Sequence, residues 1–569
     1  MVIDHRDSDR TPVKLRFAVM LDADTIPTWQ AECIRALVNS GVAELVAVVR
    51  RVGANDGREP RKIFRNGLYY LLRAFVMRTK SWKVVDAGEL IRGALSIDGV
   101  PVPDGGQWCR LDDEALARLR GLELDFILRF GFNLLRGEIL NVPRHGIWSF
   151  HHGDPAKYRG RPAILWELLN GEHVAGVVLQ RLTERLDGGT VLKKGIFKLA
   201  RWSIARSLET VYAQSVEFPV SVCRQIVATG RLPAAEGTQQ SLGPVYGLPG
   251  NSQVVRLLLG LLFRGLGVLW NGLFIEKHWT LGWRVASMGR MPEGNSNWNW
   301  LPAIGSGGFL ADPFLIPGQE RSAVLCEFMD YEKGRGTIAF VYLDEATAGV
   351  HPRVVIDGGK YHLSYPCLVK TGGRLLCIPE LAQSGKTWMY ELSVDGSGGK
   401  GRVCLLEDFS AVDPTVFRHE GRWWLLCTRE GGGSLSSLYA FHAEEIEGPW
   451  ISHPANPIVV DVAGARPAGI PFIVDGQLFR PGQDCSRRYG GAIVIFRVLK
   501  LSALEYQEQL VARMDPPTTG IGKDGMHSLS RQGNLEVVDG YNEVFSPFAW
   551  KTRLKLKLVA MKARKYAAR

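Results

Sequence analysis

The stretch NVPRHGIWSFHHGDPAKYRGRPAILWELLNGEHVAGVVLQRLTERLDGGTVL, residues 141–192, decides how the first half of this chain folds. After a turn at His145 and Gly146, IWSF reads as a short buried strand. Working outward, Leu124 to Phe130 is another apolar strand, ending at Gly131. Further back, KLRFAVML (14–21) is a β-rich run, residues 26–39 have helical spacing, and ELVAVVRR (44–51) is a second run, which makes a β-α-β opening. Strands without polar alternation suit a parallel sheet covered on both faces, so residues 12–235 are expected to form an α/β, Rossmann-like domain.

At 569 residues the chain exceeds what one core holds, and two or three domains are expected. Apolar residues at 46% and charged residues at 22% exclude long disorder. The nine cysteines form no C-x-x-C pair, which excludes a zinc or disulfide scaffold and fits a reducing cytoplasm. No metal site is expected. The polar start MVIDHRDSDRTPVK has no apolar stretch of signal-peptide type, and residues 1–11 read as a disordered tail. A formal charge of +11 calls for an anionic partner: a phosphate-bearing substrate, nucleic acid or an acidic membrane surface.

Residues 236–299 read as a linker holding one apolar helix, RLLLGLLFRGLGVLWNGLFI (256–275) with its flanks. Arg256, Arg264 and glycines interrupt it, so it is expected to pack between domains or touch a membrane surface rather than cross one. KIFRNGLYYLLRAFVMRTKSWK (62–83) has the same basic and apolar mixture. For a cytoplasmic protein the surface concerned is the inner face of the membrane.

Beyond residue 300 a phrase recurs about every 50 residues: ADPFLIPGQERSAVLCEF from Ala311, YPCLVKTGGRLLCIPE from Tyr365, DPTVFRHEGRWWLLCT from Asp413, IPFIVDGQLFRPGQD from Ile470 and SLSRQGNLEVVDG from Ser528. Four carry a Pro, a strand, a turn and a second strand; the fifth keeps strand, turn and strand. This predicts an all-β five-bladed propeller over residues 300–545, each small sheet burying its faces on its neighbours. The basic run 546–569 reads as a solvated tail.

Residues 141–192 resemble the core of the folate-dependent formyltransferases, the methionyl-tRNA, glycinamide ribonucleotide and sugar N-formyltransferases among them. In that family a strand ends in Asn, an apolar residue and His, a loop closes on Tyr-Arg-Gly, a helix ends in Leu-Leu-Asn-Gly, and a Leu-Asp-Gly-Gly or Leu-Asp-Thr-Gly turn follows. The resemblance places His151 at the catalytic histidine and Asp187 at the turn aspartate. Tyr158, Arg159 and Gly160 close the loop. Formyl transfer to an amine needs a donor for the developing oxyanion and an acceptor for the amine proton, and His151 oriented by Asp187 meets both needs. Ser149 stands where the family has Asn, and losing one oxyanion donor costs roughly 3 kcal/mol, about a hundredfold in rate. His152 and Asp154 are candidates for acceptor binding. The resemblance implies 10-formyltetrahydrofolate as donor.

The second half resembles five-bladed arabinanase and xylosidase-type glycosidases and, through HLSYPCLV, CIPE, DPTVF, GQDCSRRYGGAI and LSRQGNLEVVDG, the N-terminal domain of glucosamine inositolphosphorylceramide transferases. That likeness puts Asp312 and Asp413 at a base and a modulator and Glu380 at an acid. Asp484, Arg487 and Arg488 suit sugar or phosphate recognition. No aromatic and basic interleaving of nucleic-acid type is present, so a small-molecule or glycoconjugate acceptor, an amino sugar, is expected, and no nucleic acid. Two alternatives are glycan turnover by the propeller beside a degenerate formyltransferase-like domain, and a non-catalytic scaffold that binds sugar and membrane.

Overall fold

A computed structural model describes residues 14–53, 60–186, 188–233, 243–287, 289–292, 297–318, 321–344, 350–393 and 399–567. The expected tail 1–11 lies outside the described residues. The chain divides into two compact units, residues 1–263 and 264–569.

Unit 1 is built on one seven-stranded sheet: β1 (Leu15–Leu21), β2 (Ala43–Arg51), β3 (Leu95–Gly99), β4 (Phe126–Arg129), β5 (Ile147–His151), β6 (Val174–Arg181) and β7 (Thr190–Lys198), in the order β7-β6-β5-β4-β1-β2-β3. The stretch from β3 to β5 is parallel as expected. The all-parallel expectation fails at β6 and β7, which run antiparallel. Only residues 182–189 join those two strands, too short a link for the crossover that parallel pairing needs.

β1 explains the lack of alternation in the sequence. Ala18 and Met20 enter a core with Ala47, Val49 and Ile127, while Phe17, pointing the other way, stacks on Phe126 with ring centroids 5.1 Å apart. Helices α1 (Thr28–Asn39), α2 (Pro60–Phe75), α3 (Leu165–Leu169), α4 (Ile204–Ser215) and α5 (Phe218–Thr229), together with a helix at Asp113–Arg120, belong to the unit, α1 packing on α5 and α4 on β6 and β7. A further helix, α6 (Asn251–Phe274), continues into the second unit.

Unit 2 contains five antiparallel sheets. The first four each start with a strand of the repeated phrase or of its turn: β9 (Gly308–Leu315), β10 (Ser364–Thr371), β11 (Ala411–His419), and the pair Phe472–Val474 and β12 (Gln477–Asp484). The fifth joins both ends of the unit, in the order Asn299–Trp300, β8 (Ile275–Val285), β14 (Leu535–Phe545), β13 (Leu529–Gln532). β8 pairs with β14 along its whole length, from Ile275 opposite Phe545 to Val285 opposite Leu535.

The linker expected over 236–299 therefore ends earlier, and residues 275–285 of it are strand. The reason is that β8, IEKHWTLGWRV, finds its partner strand about 250 residues away, where no local pattern announces it. Four cores link the sheets: one runs through the first three, one joins third to fourth, one fourth to fifth, and one fifth to first. The expected solvated tail is helical: α7 (Ala549–Ala567) places Val559 beside Gly334, and Arg553 donates to the carbonyls of Asn271 and Ile275.

Candidate functional site

In unit 1 the carboxyl ends of parallel strands open on a cleft of about 2200 Å³. That is where open α/β sheets bind ligands, because side chains after the strand ends are freed from sheet packing. Arg129 closes β4 and Ser149, Phe150 and His151 close β5, and all four line the cleft. Its wall also carries Arg65, Arg73, Arg78, Lys80, Lys83, Arg161 and Arg185, and no Asp or Glu among its described lining residues. Positive charge is thus concentrated here, where it attracts anions.

His151 Nε2 lies 3.0 Å from the carbonyl oxygen of Tyr158. A carbonyl only accepts, so that nitrogen carries a proton. Tyr158 is itself fixed: its hydroxyl donates to Glu172 Oε1 at 3.1 Å and accepts from Asn170 Nδ2 at 3.2 Å, and burial pushes its pKa up to about 12. Arg159 donates to the carbonyls of Gly243 (2.8 Å) and Leu186 (3.5 Å), bracing the turn that leads to position 187. Arg159 and Gly160 pair in parallel with Val245 and Tyr246. Gly160 has φ +89°, and a Cβ there would lie 2.1 Å from the Tyr246 oxygen, so only glycine fits. Asp187 lies outside the described residues.

Ser149 is buried, and its hydroxyl accepts from Arg129 Nη1 at 3.4 Å. Directly opposite it in the β5–β6 pair stands Gln180, 4% exposed, which lines the same cleft and whose Oε1 has no hydrogen-bond partner. Cross-strand partners sit about 4.5–5.5 Å apart at Cβ, so this carboxamide is a neighbour of Ser149 on the wall of the cleft. Sequence reasoning missed Gln180 because only the antiparallel register makes it a neighbour of β5.

Glu167, inside α3, was also missed. It shares with His151 a cavity of about 10 Å³, room for about one water, and burial pushes its carboxyl up to about 7. The polar residue in the apolar run LWELL was its one sequence signal.

Two other expected residues are otherwise engaged. Asp154 accepts from Ala156 N and pairs with Lys194 Nζ at 3.0 Å, because Lys194 reaches it from β7 and neutralises it, so it is a turn and ion-pair residue. The His152 ring packs against Trp29, Phe150 and Tyr212, and desolvation by burial lowers its pKa to about 3. It is a neutral aromatic wall of the cleft.

In unit 2, Asp312, Tyr365 and Asp413 occupy the same place in β9, β10 and β11. Each precedes a proline, each has positive φ (52°, 46° and 49°), and each sits where the strand register shifts. Such a bulge re-aims side chains at a cost of about 1–3 kcal/mol per residue. The carboxylates so placed clasp neighbouring sheets. Asp312 N donates to Asp539 (2.9 Å), Tyr365 N to Asp312 (3.3 Å), Asp413 N to Glu380 (3.2 Å), and Gln483 Nε2 to Asp413 (2.7 Å).

Two cations balance this cluster. Arg466 Nε and Nη2 reach Asp413 at 2.5 and 3.1 Å, and Arg466 lies 3.8 Å from Glu380. His527 stands between Asp539 (2.6 Å) and Asp312 (3.7 Å). Burial opposes its charge, but the two carboxylates outweigh burial and raise its pKa. Burial raises the pKa of Glu380 and of Asp312. Asp312, Glu380 and Asp413 thus come together as expected, while Asp484 pairs instead with Arg513, and Arg487 and Arg488 are exposed on the following turn. Asp484 cannot serve both partners, because Arg513 on the adjacent strand takes its carboxylate.

Two family descriptions match separate parts of the chain. Residues 108–213 match the family described as Formyl transferase, and residues 302–527 match Glucosamine inositolphosphorylceramide transferase 1, N-terminal. The second is also the likeness of the glucosamine inositolphosphorylceramide transferase 1 of Oryza sativa subsp. japonica, 30% identical over 206 residues, 35% of this chain. The methionyl-tRNA formyltransferase of Thermodesulfovibrio yellowstonii is 37% identical over 82 residues, 14% of this chain. The chain spans 27% of the length of each of these curated relatives. Among solved structures, a thermostable family-43 glycoside hydrolase aligns at 17% identity over 39% of this chain and 84% of its own, with a TM-score of 0.31.

Proposed function

We propose that this chain transfers a formyl group from 10-formyltetrahydrofolate to the amino group of a sugar, and that unit 2 is a five-bladed propeller that binds the glycan carrying it. The observation that carries the reading is His151, with its protonated Nε2, at the strand end of a basic cleft in a formyltransferase-matching domain. The cleft suits the donor: pockets of about 300–1000 Å³ hold one drug-sized ligand, and about 2200 Å³ accommodates a folate and an acceptor together. Trp108, Asn133, Leu134 and Leu135 would hold the pterin end, with the arginines and lysines facing the glutamate carboxylates. When bound, the folate supplies the activated formyl group.

His151 offers its Nε2 proton to the formyl oxygen in place of the Tyr158 carbonyl. Gln180 supplies the amide donor that Ser149 lacks. Asp187, following the turn that Arg159 braces, orients His151. Glu167, with a carboxyl pushed up to about 7, would take the amine proton through the water-sized cavity it shares with His151 and return it to N10 as the formyl C–N10 bond breaks and tetrahydrofolate leaves. The amino-sugar acceptor is favoured by the glucosamine in the name of the plant relatives and by the positive cleft, which suits an acceptor carrying phosphate.

Hydrolysis by unit 2 is the weaker reading. A glycosidase needs an ionised base, and burial pushes the carboxyl of Asp312, the residue expected at that place, up to about 7. The test is mass-spectrometric detection of a formyl adduct on glucosamine-bearing glycoconjugates supplied with 10-formyltetrahydrofolate. His151→Ala and Gln180→Ala should each lower kcat about a hundredfold with the fold intact, and Ser149→Asn should restore part of the loss in the Gln180→Ala protein. Unchanged rates in both single variants would sink the mechanism.

A further inference from the structure

Helix α6 has two apolar stripes. Val254, Leu257 and Leu261 are buried against the protein, whereas Leu258, Leu259, Leu262, Leu266, Leu269 and Trp270 are exposed. Among the described residues it is the one helix long and apolar enough to cross a membrane by length and composition. It carries Arg256 and Arg264 within that length, and its inner stripe is already used by protein packing, so its geometry suits lying along an interface rather than crossing one.

Within unit 2 the helix end is extended by α7. Arg553 ties α7 to the carbonyls of Asn271 and Ile275, and Phe274 stacks on Phe545 with ring centroids 6.1 Å apart. α7 exposes Leu554, Leu558 and Met561 at i, i+4 and i+7, one stripe of a helix. Lys551 sits over the exposed rings of Phe548 and Trp550, 4.6 and 5.6 Å from their centroids, and Lys555 and Lys557 are exposed beside them. The sequences of α6 and α7 contain no Asp or Glu. Apolar stripe, flanking aromatic rings and uniformly positive charge together match the headgroup layer of an anionic bilayer.

We propose that α7 and the end of α6 that lies in unit 2, with its exposed Leu266, Leu269 and Trp270, form an in-plane anchor that seats this protein on membranes rich in anionic phospholipid. The anchor goes beyond the formyl-transfer reading and does not depend on it, since none of its residues touches the His151 cleft. The test is flotation of the purified full-length protein with vesicles of phosphatidylcholine alone or mixed with phosphatidylglycerol. The protein should float with the mixed vesicles, remain behind with the neutral ones, and come off in alkaline carbonate. Leu266→Glu with Leu269→Glu, and separately Lys551→Glu with Lys555→Glu and Lys557→Glu, should each cut the bound fraction on the order of tenfold. These side chains are exposed, so unchanged thermal melting verifies that the variants fold. Failure to float with either vesicle, retention through carbonate, undiminished binding by the variants, or capture of a protein partner without vesicle binding would each overturn the anchor. Formyl transfer to a soluble acceptor, measured on the same variants, stays unchanged and keeps the two readings separable.

Discussion

His152 and His151 are adjacent and chemically alike, yet the fold gives them opposite jobs. The ring of His151 ends a strand and meets a carbonyl, whereas that of His152 is held by Trp29, Phe150 and Tyr212. Burial lowers the folded pKa of His152 from 6.5 to about 3, so the unfolded chain takes up its proton first. The stability of the neutral form is fully present above about pH 6.5 and is lost as pH falls toward about 3. His152→Phe should flatten that part of the melting-temperature profile; an unaltered profile would show that other groups set it. His151, Ser149 and the Tyr-Arg-Gly loop were legible in the sequence because they lie in one contiguous motif. Gln180 and Glu167 were not, since strand register brings the first opposite Ser149 and burial brings the second to the cavity beside His151, and neither leaves a spacing signature.

At the scale of elements, the loop that holds His151 depends on two residues of sheet pairing, Arg159–Gly160 with Val245–Tyr246. Gly160→Ala would force a side chain into a positive-φ position and against the Tyr246 oxygen. The expected cost is about 1–3 kcal/mol from the backbone alone, read as a lower melting temperature, with kcat falling as the Tyr158 carbonyl loses its place. A melting temperature equal to wild type would mean that this pairing does not hold the loop. The β-α-β opening was readable because both faces of β1 are buried and its residues are uniformly apolar. In unit 2 the Asp-Pro phrase was read as a carboxylate site, but its structural content is the bulge, and Tyr365-Pro366 makes the same bulge with a phenol. Its hydroxyl meets Thr415 Oγ1 at 2.8 Å, so this sheet contributes a buried ring where its neighbours contribute charge.

For the molecule as a whole, the fifth sheet decides where unit 2 begins. β8 supplies the full-length partner of β14, and the core between the fifth and first sheets includes Leu281. A fragment of residues 300–569 lacks that strand and should not fold cooperatively, whereas residues 264–569 should melt in one transition by circular dichroism. A cooperative shorter fragment would contradict the dependence of unit 2 on the pairing of β8 with β14. The central claim concerns the cleft of unit 1, and calorimetric titration with a non-transferable 10-formyltetrahydrofolate analogue tests it most directly. Saturable binding at micromolar concentration, weakened by salt because the wall of the cleft is basic, is the predicted result. A folded protein that releases no binding heat at any salt concentration and does not retain the analogue on equilibrium dialysis would contradict the account.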